Sequence, residues 1–186
     1  MAKPVFVSFF TDNWIYPQLA VRLSSQIEAM GLKHDIRRME QGVDWLANTR
    51  IKARFIHQML GIYPSIIWLD VDSDMHQFPL MLTTFSEDLL LRPHSTVSGR
   101  TWHVSVMGWK STSQTKALCN AWIKQGDIYG GTDEAAFDAV INNFKNEISI
   151  GRMPMEYHCL PHEPQEHAVI TIGISRDEDK MRIKYG

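Results

Sequence analysis

The sequence predicts an α/β protein whose mixed, mainly parallel central sheet is flanked by helices, and three observations support this prediction. Residues 66–69 form an unbroken apolar run, as in strands that are covered on both faces. The short apolar strand predicted at Val5–Phe10 precedes a segment whose apolar residues recur every three to four positions. Strand-like and helix-like segments then continue to alternate along the chain, as in α/β folds.

The first half of the chain predicts two helices around a second strand. Gly31 stands where the first helix must end, because glycine tolerates the left-handed conformation found there. A strand is expected near His34–Arg38, and a second helix from about residue 48 to residue 60. Apolar residues at helical spacing support the first helix: Ile15, Leu19, Leu23, Ile27 and Met30.

The second half repeats the pattern after the apolar run. A short helix near Pro79 and a strand at 88–92 are followed by strand-like residues over 98–108. Helices are expected from about residue 112 to residue 124 and again after Thr132, which is a suitable N-cap.

Composition restricts the class of protein. With 186 residues, 44% hydrophobic and 22% charged, we expect one globular domain over 1–186. The net charge of -2 gives no overall attraction to nucleic acid. No segment has the length and apolar character of a membrane span, and Cys119 and Cys159 form no metal-binding spacing, so we expect a cytoplasmic protein. The glycine-rich loops of dinucleotide enzymes and P-loop kinases are absent.

Three carboxylates spaced two residues apart, Asp70, Asp72 and Asp74, follow the apolar run. Clustered carboxylates repel one another unless a cation or hydrogen bonds offset the charge, and oxygen ligands suit Mg²⁺ or Mn²⁺. A calcium loop requires Gly and Glu where this chain has Met75 and Met81. Asp74 also disagrees with the Asp-x-Asp pattern of haloacid dehalogenase phosphatases. The run therefore predicts a divalent-metal site that holds a phosphorylated ligand, although an Asp-rich turn that caps a helix is an alternative.

The helix before this run carries a basic face. Arg50, Arg54 and His57 share one side, with Lys52 close to them. This face is either solvated or supplies cations to a diphosphate.

Taken in order, these pieces resemble a small GT-A glycosyltransferase of the glycogenin-like, nucleotide-diphospho-sugar type, of the kind that also occurs in phages. The resemblance covers about residues 4–144 and rests on residues 9–13, on the Asp-x-Asp at 68–72 and on the Asp-Glu pair at 133–134. It implies a single Rossmann-like GT-A domain. The family's longer C-terminal His-containing motif is missing from this chain.

The resemblance also implies a role for each site residue. Base and ribose contacts would come from Thr11, Asp12, Asn13 and Tyr16, and diphosphate or sugar contacts from Lys52 with Arg50 or Arg54. Asp70 and Asp72 would bind the metal, with a third ligand among His158, His162 and His167, of which His167 completes the predicted set. Asp133 and Glu134 would be the catalytic pair at the donor sugar and the acceptor hydroxyl.

The implied function is a metal-dependent transfer of sugar from a nucleotide diphosphate donor, with UDP-sugars favoured, to a hydroxyl group. The acceptor remains open between a surface polysaccharide, a protein side chain and hydroxymethylated pyrimidine in phage DNA. The glycogenin-like resemblance favours retention of anomeric configuration. A metal-dependent nucleotidyltransferase or phosphatase and a non-catalytic nucleotide-binding module are the alternatives.

Overall fold

The computed structural model describes residues 3–12, 15–42, 45–94 and 101–173. Its strands are β1 (Val5–Phe10), β2 (His34–Arg38), β3 (Ser65–Leu69), β4 (Asp74–Met75), β5 (Leu89–Pro93), β6 (Trp102–Lys110), β7 (Ile150–Arg152) and β8 (Ile170–Thr171). Its α-helices are α1 (Tyr16–Ala29), α2 (Trp45–Ile62), α3 (Leu80–Thr84), α4 (Ser113–Tyr129) and α5 (Asp133–Ile141).

Six of the strands form a mixed, mainly parallel sheet in the order β2-β1-β3-β6-β5-β7, which confirms the predicted fold class. β1 pairs in parallel with β2 and β3, and β5 in parallel with β7, whereas β6 is antiparallel to both its neighbours. β6 is therefore the one strand of this sheet that runs in the opposite direction. A separate antiparallel pair, β4 and β8, was not predicted from the sequence.

Helices cover both faces of the sheet, and β3 shows why its sequence is apolar throughout. Ile66 and Trp68 pack on the face covered by α2, α4 and α5. Ile67 and Leu69 pack on the opposite face, with α1, α3 and the β4–β8 pair. Because successive side chains of a strand point to opposite faces, a strand between two helical layers has no solvent-facing position.

The helix ends follow local chemistry. Gly31 has a positive φ of 66° just beyond α1, as predicted. Thr112 caps α4 in a reciprocal arrangement with Thr115, and Thr132 caps α5 by accepting a hydrogen bond from the Ala135 N–H. None of the helices within the described ranges combines the length and apolar character needed to cross a lipid bilayer.

One edge of the sheet gathers the ends of several strands. β1, β3 and β5 end there, and the antiparallel β6 begins there. The Asp70 N–H donates to the Ser105 carbonyl at 2.9 Å, and the His94 N–H to the Thr101 carbonyl at 2.9 Å. Side chains just after β3 and β5 and at the start of β6 therefore lie at a common rim, where open α/β sheets bind ligands.

Candidate active site

A tight turn after β3 presents the first two aspartates. The Ser73 N–H donates to the Asp70 carbonyl at 3.0 Å, and Ser8 of β1 holds the preceding Leu69 carbonyl at 2.7 Å. The turn leaves both Asp70 and Asp72 partly exposed at the rim. Two oxygen-donor side chains thus stand side by side at the carboxyl end of a buried strand.

The third aspartate of the run has a different role. The Asp74 carboxylate pairs with the Arg22 guanidinium and accepts a hydrogen bond from Gln26, both on α1. Gln26 also accepts from the Met75 N–H at 3.1 Å. Asp74 therefore fastens β4 to α1, which separates it from the pair at the turn.

Lys52 of α2 is the centre of the site. Its Nζ lies 2.8 Å from Asp70 Oδ1 and 2.5 Å from Asp133 Oδ2, and it donates to the Val104 carbonyl at 3.3 Å. Only 7% of the Lys52 side chain is exposed, so its charge depends on these partners. Trp68 adds a hydrogen bond from its indole Nε1 to Asp70 Oδ1 at 3.0 Å.

Among the described residues, the carboxylates around Lys52 affect one another's ionisation. Burial, together with the neighbouring carboxylates of Asp72 and Asp133, raises the pKa of Asp70 to about 6, although Lys52 acts in the opposite direction. Burial works to lower the pKa of Lys52, but the Asp133 and Asp70 carboxylates raise it above its ordinary value. Lys52 is therefore protonated at neutral pH. The raised pKa of Asp70 means that its ionised form is destabilised, and a bound cation would stabilise that form.

The first turn of α5 supplies Asp133 and Glu134, whose side chains have different partners. Trp122 of α4 donates from its buried indole to the Asp133 carbonyl at 2.8 Å, which fixes the start of α5 against α4. Asp133 pairs with Lys52, whereas Glu134 Oε1 lies 2.7 Å from His94 Nε2. The structure therefore brings Asp133, but not Glu134, into contact with Lys52.

Two histidines accompany Glu134. His103 Nδ1 lies 3.7 Å from Glu134 Oε1, and the rings of His94 and His103 are stacked with centroids 3.5 Å apart. His94, His103 and Glu134 therefore form a group whose ligand atoms all lie within 4.8 Å of one another.

His158 is the C-terminal histidine that the structure buries near the site. It is 0% exposed, and its ring centroid lies 4.7 Å from that of His103. Neither ring nitrogen has a hydrogen-bond partner among the described residues. Burial and the positive charges of His103, Arg92 and Lys52 lower the pKa of His158 well below its ordinary value, so the ring is neutral and available as a ligand.

A buried ion pair holds the segment that carries His158. Arg92 at the end of β5 pairs with the Glu163 carboxylate and donates to the His158 carbonyl. Glu163 Oε2 also accepts from the Leu160 N–H at 2.7 Å. These contacts define where the His158 backbone lies relative to the sheet.

The other two candidate histidines lie elsewhere. His162 and His167 are exposed. The His76 N–H donates to the Val169 carbonyl, and Asp74 pairs with Thr171 in the antiparallel β4–β8 ladder. Because the two strands are antiparallel, residues that precede Thr171 lie opposite residues that follow Asp74. His167 therefore lies away from Asp72, and the structure does not bring the predicted third ligand to the aspartate pair.

The residues predicted to contact base and ribose follow β1. Thr11 is buried, and the exposed Asp12 pairs with Arg38. Tyr16 begins α1, and burial together with Asp72 and Asp70 raises the pKa of its hydroxyl, which places Tyr16 within the electrostatic reach of the aspartate pair. Asn13 lies outside the described residues.

The arginines of α2 contact α4. Arg54 makes an exposed bidentate ion pair with Asp127, with Nη2 at 2.7 and 2.8 Å from the carboxylate oxygens. Arg50 packs along Gly126 and reaches its carbonyl at 3.5 Å. Of the cations predicted for the diphosphate, the structure brings Lys52 to the aspartates and engages the two arginines with α4.

Sequence reasoning did not identify His94, His103, Arg92 or Glu163 as site residues. The available signal was polar residues at the end of β5 and the start of β6. This signal points to a site only once β6 is known to pair with both β3 and β5, and the sequence does not reveal that pairing.

Several solved structures that resemble this chain in fold are glycosyltransferases. A glycosyltransferase involved in glycosylation of the major capsid of PBCV-1 matches at a TM-score of 0.72 with 12% identity, over 98% of this chain and 100% of that one. GlyE of Streptococcus pneumoniae TIGR4 matches at 0.65 with 11% identity, over 95% of this chain and 56% of that one. The galactosyltransferase LgtC, solved with donor and acceptor sugar analogues, matches at 0.55 with 11% identity, over 90% of this chain and 86% of that one.

These matches identify the fold as that of GT-A glycosyltransferases, as the sequence predicted. At such low sequence identity the similarity establishes the fold alone. No protein-family model matches the chain, and no curated protein matches it in sequence.

Proposed function

We propose that this protein is a metal-dependent glycosyltransferase that moves a sugar from a nucleotide diphosphate donor, with UDP-sugars as the favoured class, to a hydroxyl acceptor. The observation that carries the proposal is the Asp70–Asp72 pair at the carboxyl end of β3, joined through Lys52 to Asp133. The GT-A fold around this group supports the same conclusion.

The aspartates at the rim offer the oxygen atoms that a divalent cation prefers, although among the described residues Asp70, Asp72 and His158 do not have ligand atoms that all lie within 4.8 Å of one another. Asp70 and Asp133 both contact the Lys52 ammonium, and burial together with the Asp72 and Asp133 carboxylates raises the pKa of Asp70. Asp70 and Asp72 would hold Mn²⁺ or Mg²⁺ through oxygen atoms. We propose His158 as the third ligand in place of His167, because its buried ring nitrogens have no hydrogen-bond partner within the described ranges. Such a cation, when bound, supplies charge neutralisation for the departing diphosphate.

The chain's own side chains position the donor. Lys52 fixes the Asp133 carboxylate at 2.5 Å, so Asp133 can accept hydrogen bonds from the hydroxyls of a donor sugar at a defined place. Thr11 and Asp12, which follow β1, and Tyr16, which begins α1, are proposed to contact the nucleoside. Glu134 belongs to the histidine group, so the proposed transfer uses Asp133 as the carboxylate at the donor.

Retention of anomeric configuration fits this geometry better than inversion. An inverting enzyme needs a carboxylate base beside the acceptor hydroxyl. Asp133 is already engaged by the Lys52 ammonium at 2.5 Å, on the side of the proposed donor. We therefore expect the anomeric proton of the product, measured by NMR, to show the coupling constant of the donor configuration. The opposite configuration would contradict this assignment.

The basic face of α2, which suggested a DNA acceptor, does not support one in the structure. Arg54 is neutralised by Asp127, and Arg50 lies along α4, so these arginines form no open phosphate-binding stripe. The net charge of -2 adds no compensating attraction. A saccharide or protein hydroxyl is the acceptor class that we propose.

Donor consumption tests the proposed function. Purified protein is incubated with individual nucleotide sugars and Mn²⁺, and release of nucleoside diphosphate is followed by chromatography. We expect turnover of at least one UDP-sugar, dependence on Mn²⁺, and at least about a hundredfold loss in Asp72→Asn. Asp88→Asn, which changes an aspartate at the opposite edge of the sheet where Asp88 holds Ser149, serves as the matched control. Consumption of nucleoside triphosphates or sugar phosphates alone would instead favour a nucleotidyltransferase or phosphatase.

A further inference from the structure

Glu134 and its two histidines come from three elements that converge at the rim. His94 follows β5, His103 lies in β6, and Glu134 is in the first turn of α5. We propose that these three residues form a second metal site, selective for a borderline cation such as Zn²⁺ and distinct from the Asp70–Asp72 pair. This site does not depend on the sugar-transfer proposal.

The geometry is close to that of a three-ligand zinc site. One ligand atom from each of the three residues lies within 4.8 Å of the other two. Protein ligands bind Zn²⁺ at about 2.0–2.1 Å, which places donors in a tetrahedral site roughly 3.3 Å apart. The distances from Glu134 Oε1 to His94 Nε2, 2.7 Å, and to His103 Nδ1, 3.7 Å, lie on either side of that value. Side-chain adjustments of about 1 Å are therefore sufficient.

The surroundings allow an ion to enter and be retained. The side chains of His94, His103 and Glu134 are 13%, 9% and 16% exposed, so the group is accessible but mostly shielded from water. The rings of His94 and His103 are stacked, with centroids 3.5 Å apart. Neutral imidazoles and an ionised carboxylate are the ligand forms that metal binding requires.

Ligand chemistry separates the two proposed sites. The first site offers two carboxylates and, as proposed above, the single imidazole of His158, a set richer in the oxygen atoms that suit Mg²⁺ and Mn²⁺. The second group offers two imidazoles and one carboxylate, which suit Zn²⁺ and Cu²⁺. Glu134 and Asp133 are adjacent, yet Asp133 is engaged by Lys52. The first turn of α5 thus directs the Asp133 carboxylate to Lys52 and the Glu134 carboxylate to the two histidines.

Calorimetric titration of untagged, metal-free protein with ZnCl₂ tests the proposal. We expect one Zn²⁺ site that persists in Asp72→Asn and weakens at least about tenfold in His94→Ala and in Glu134→Gln. Glu134→Gln preserves the side-chain shape, so it keeps the test decisive if His94→Ala does not fold. His34→Ala is the matched control, because His34 contacts a single carboxylate, Glu28, at 3.0 Å.

Cu²⁺ provides a second readout of the same ligands. Electron paramagnetic resonance of the one-to-one Cu²⁺ complex should show coupling to two nitrogen nuclei, reduced to one in His94→Ala. Zinc affinity that is unchanged in Glu134→Gln, or that is lost in Asp72→Asn, would overturn the proposal. So would the absence of nitrogen coupling in the wild-type Cu²⁺ complex.

Discussion

At the scale of single residues, Lys52 organises the candidate site. A buried ammonium group that contacts two carboxylates is stable only while all three charges are present, because each charge is compensated by the others. The sequence suggested Lys52 as a contact to a diphosphate. The structure adds that Asp70 and Asp133 are its partners, from segments 18 and 81 residues further along the chain.

Replacement of Lys52 by methionine tests this dependence. The variant leaves Asp70 and Asp133 facing each other without a cation, and we expect the free energy of unfolding in metal-free buffer to fall by about 3–5 kcal/mol. Urea unfolding followed by circular dichroism measures the change. Lys124→Met, at an exposed position of α4, should stay within about 0.5 kcal/mol of wild type. A loss below about 1 kcal/mol for Lys52→Met would contradict the assigned role.

The histidine group shows why residue-level prediction was incomplete. His94 and Glu134 are 40 residues apart, and neither belongs to a recognisable motif. Their contact follows from the register of β5 with β6 and from the position of α5. By contrast, Asp70 and Asp72 could be predicted as a pair because a two-residue spacing after a buried strand brings both to the same rim.

At the scale of elements, the sequence identified the long strands and helices and the short helix α3, but it missed the two-residue strands β4 and β8. β1 and β2 lie where the sequence predicted them, and α2 and α4 extend beyond their predicted ends. β4 and β8 have only two residues each, too few for any alternation to be visible. The antiparallel direction of β6 is a property of chain topology, which periodicity does not encode.

The segment that carries His158 depends on the Arg92–Glu163 pair, which supports a pH-dependent prediction. Although burial alone would raise it, hydrogen bonds from Arg92 and the Leu160 N–H lower the pKa of Glu163. A lowered native-state pKa contributes stability above the unfolded value of about 4.3, and that stability is lost as the pH falls through the native pKa. The contribution should therefore be complete at neutral pH.

Glu163→Gln measures this contribution directly. We expect it to lower the free energy of unfolding by about 2–3 kcal/mol at pH 7, with a difference from wild type that is constant down to about pH 5 and shrinks below about pH 4. Urea titrations across this range provide the measurement, with Glu166→Gln at a nearby exposed position as the control. A difference of equal size at pH 7 and pH 3.5 would exclude the ion pair as its source.

At the scale of the whole molecule, the fold brings together site residues from segments that are far apart in the sequence. Lys52, Asp70, Asp133 and His158 come from α2, the β3 turn, α5 and the segment after β7. The sheet order, in which β6 separates β3 from β5, brings these segments to one rim. The same fold in glycosyltransferases with about 12% identity shows that the architecture persists while most of the sequence varies.

The fold class was therefore predictable from a few observations, whereas the complete site was not. Alternating strands and helices define an α/β sheet, and the aspartates after β3 indicate its functional edge. The third metal ligand and the partners of Glu134 depend on how loops and the β4–β8 pair pass over that edge. Such placement is determined by packing across the whole chain.

The most direct test of the account is calorimetric titration with UDP in the presence and absence of Mn²⁺. We expect UDP to bind only when Mn²⁺ is present, Asp72→Asn to lose this binding, and Asp88→Asn to retain it. UDP binding of equal affinity without Mn²⁺, or in Asp72→Asn, would contradict a cation held by Asp70 and Asp72 as the anchor of the diphosphate.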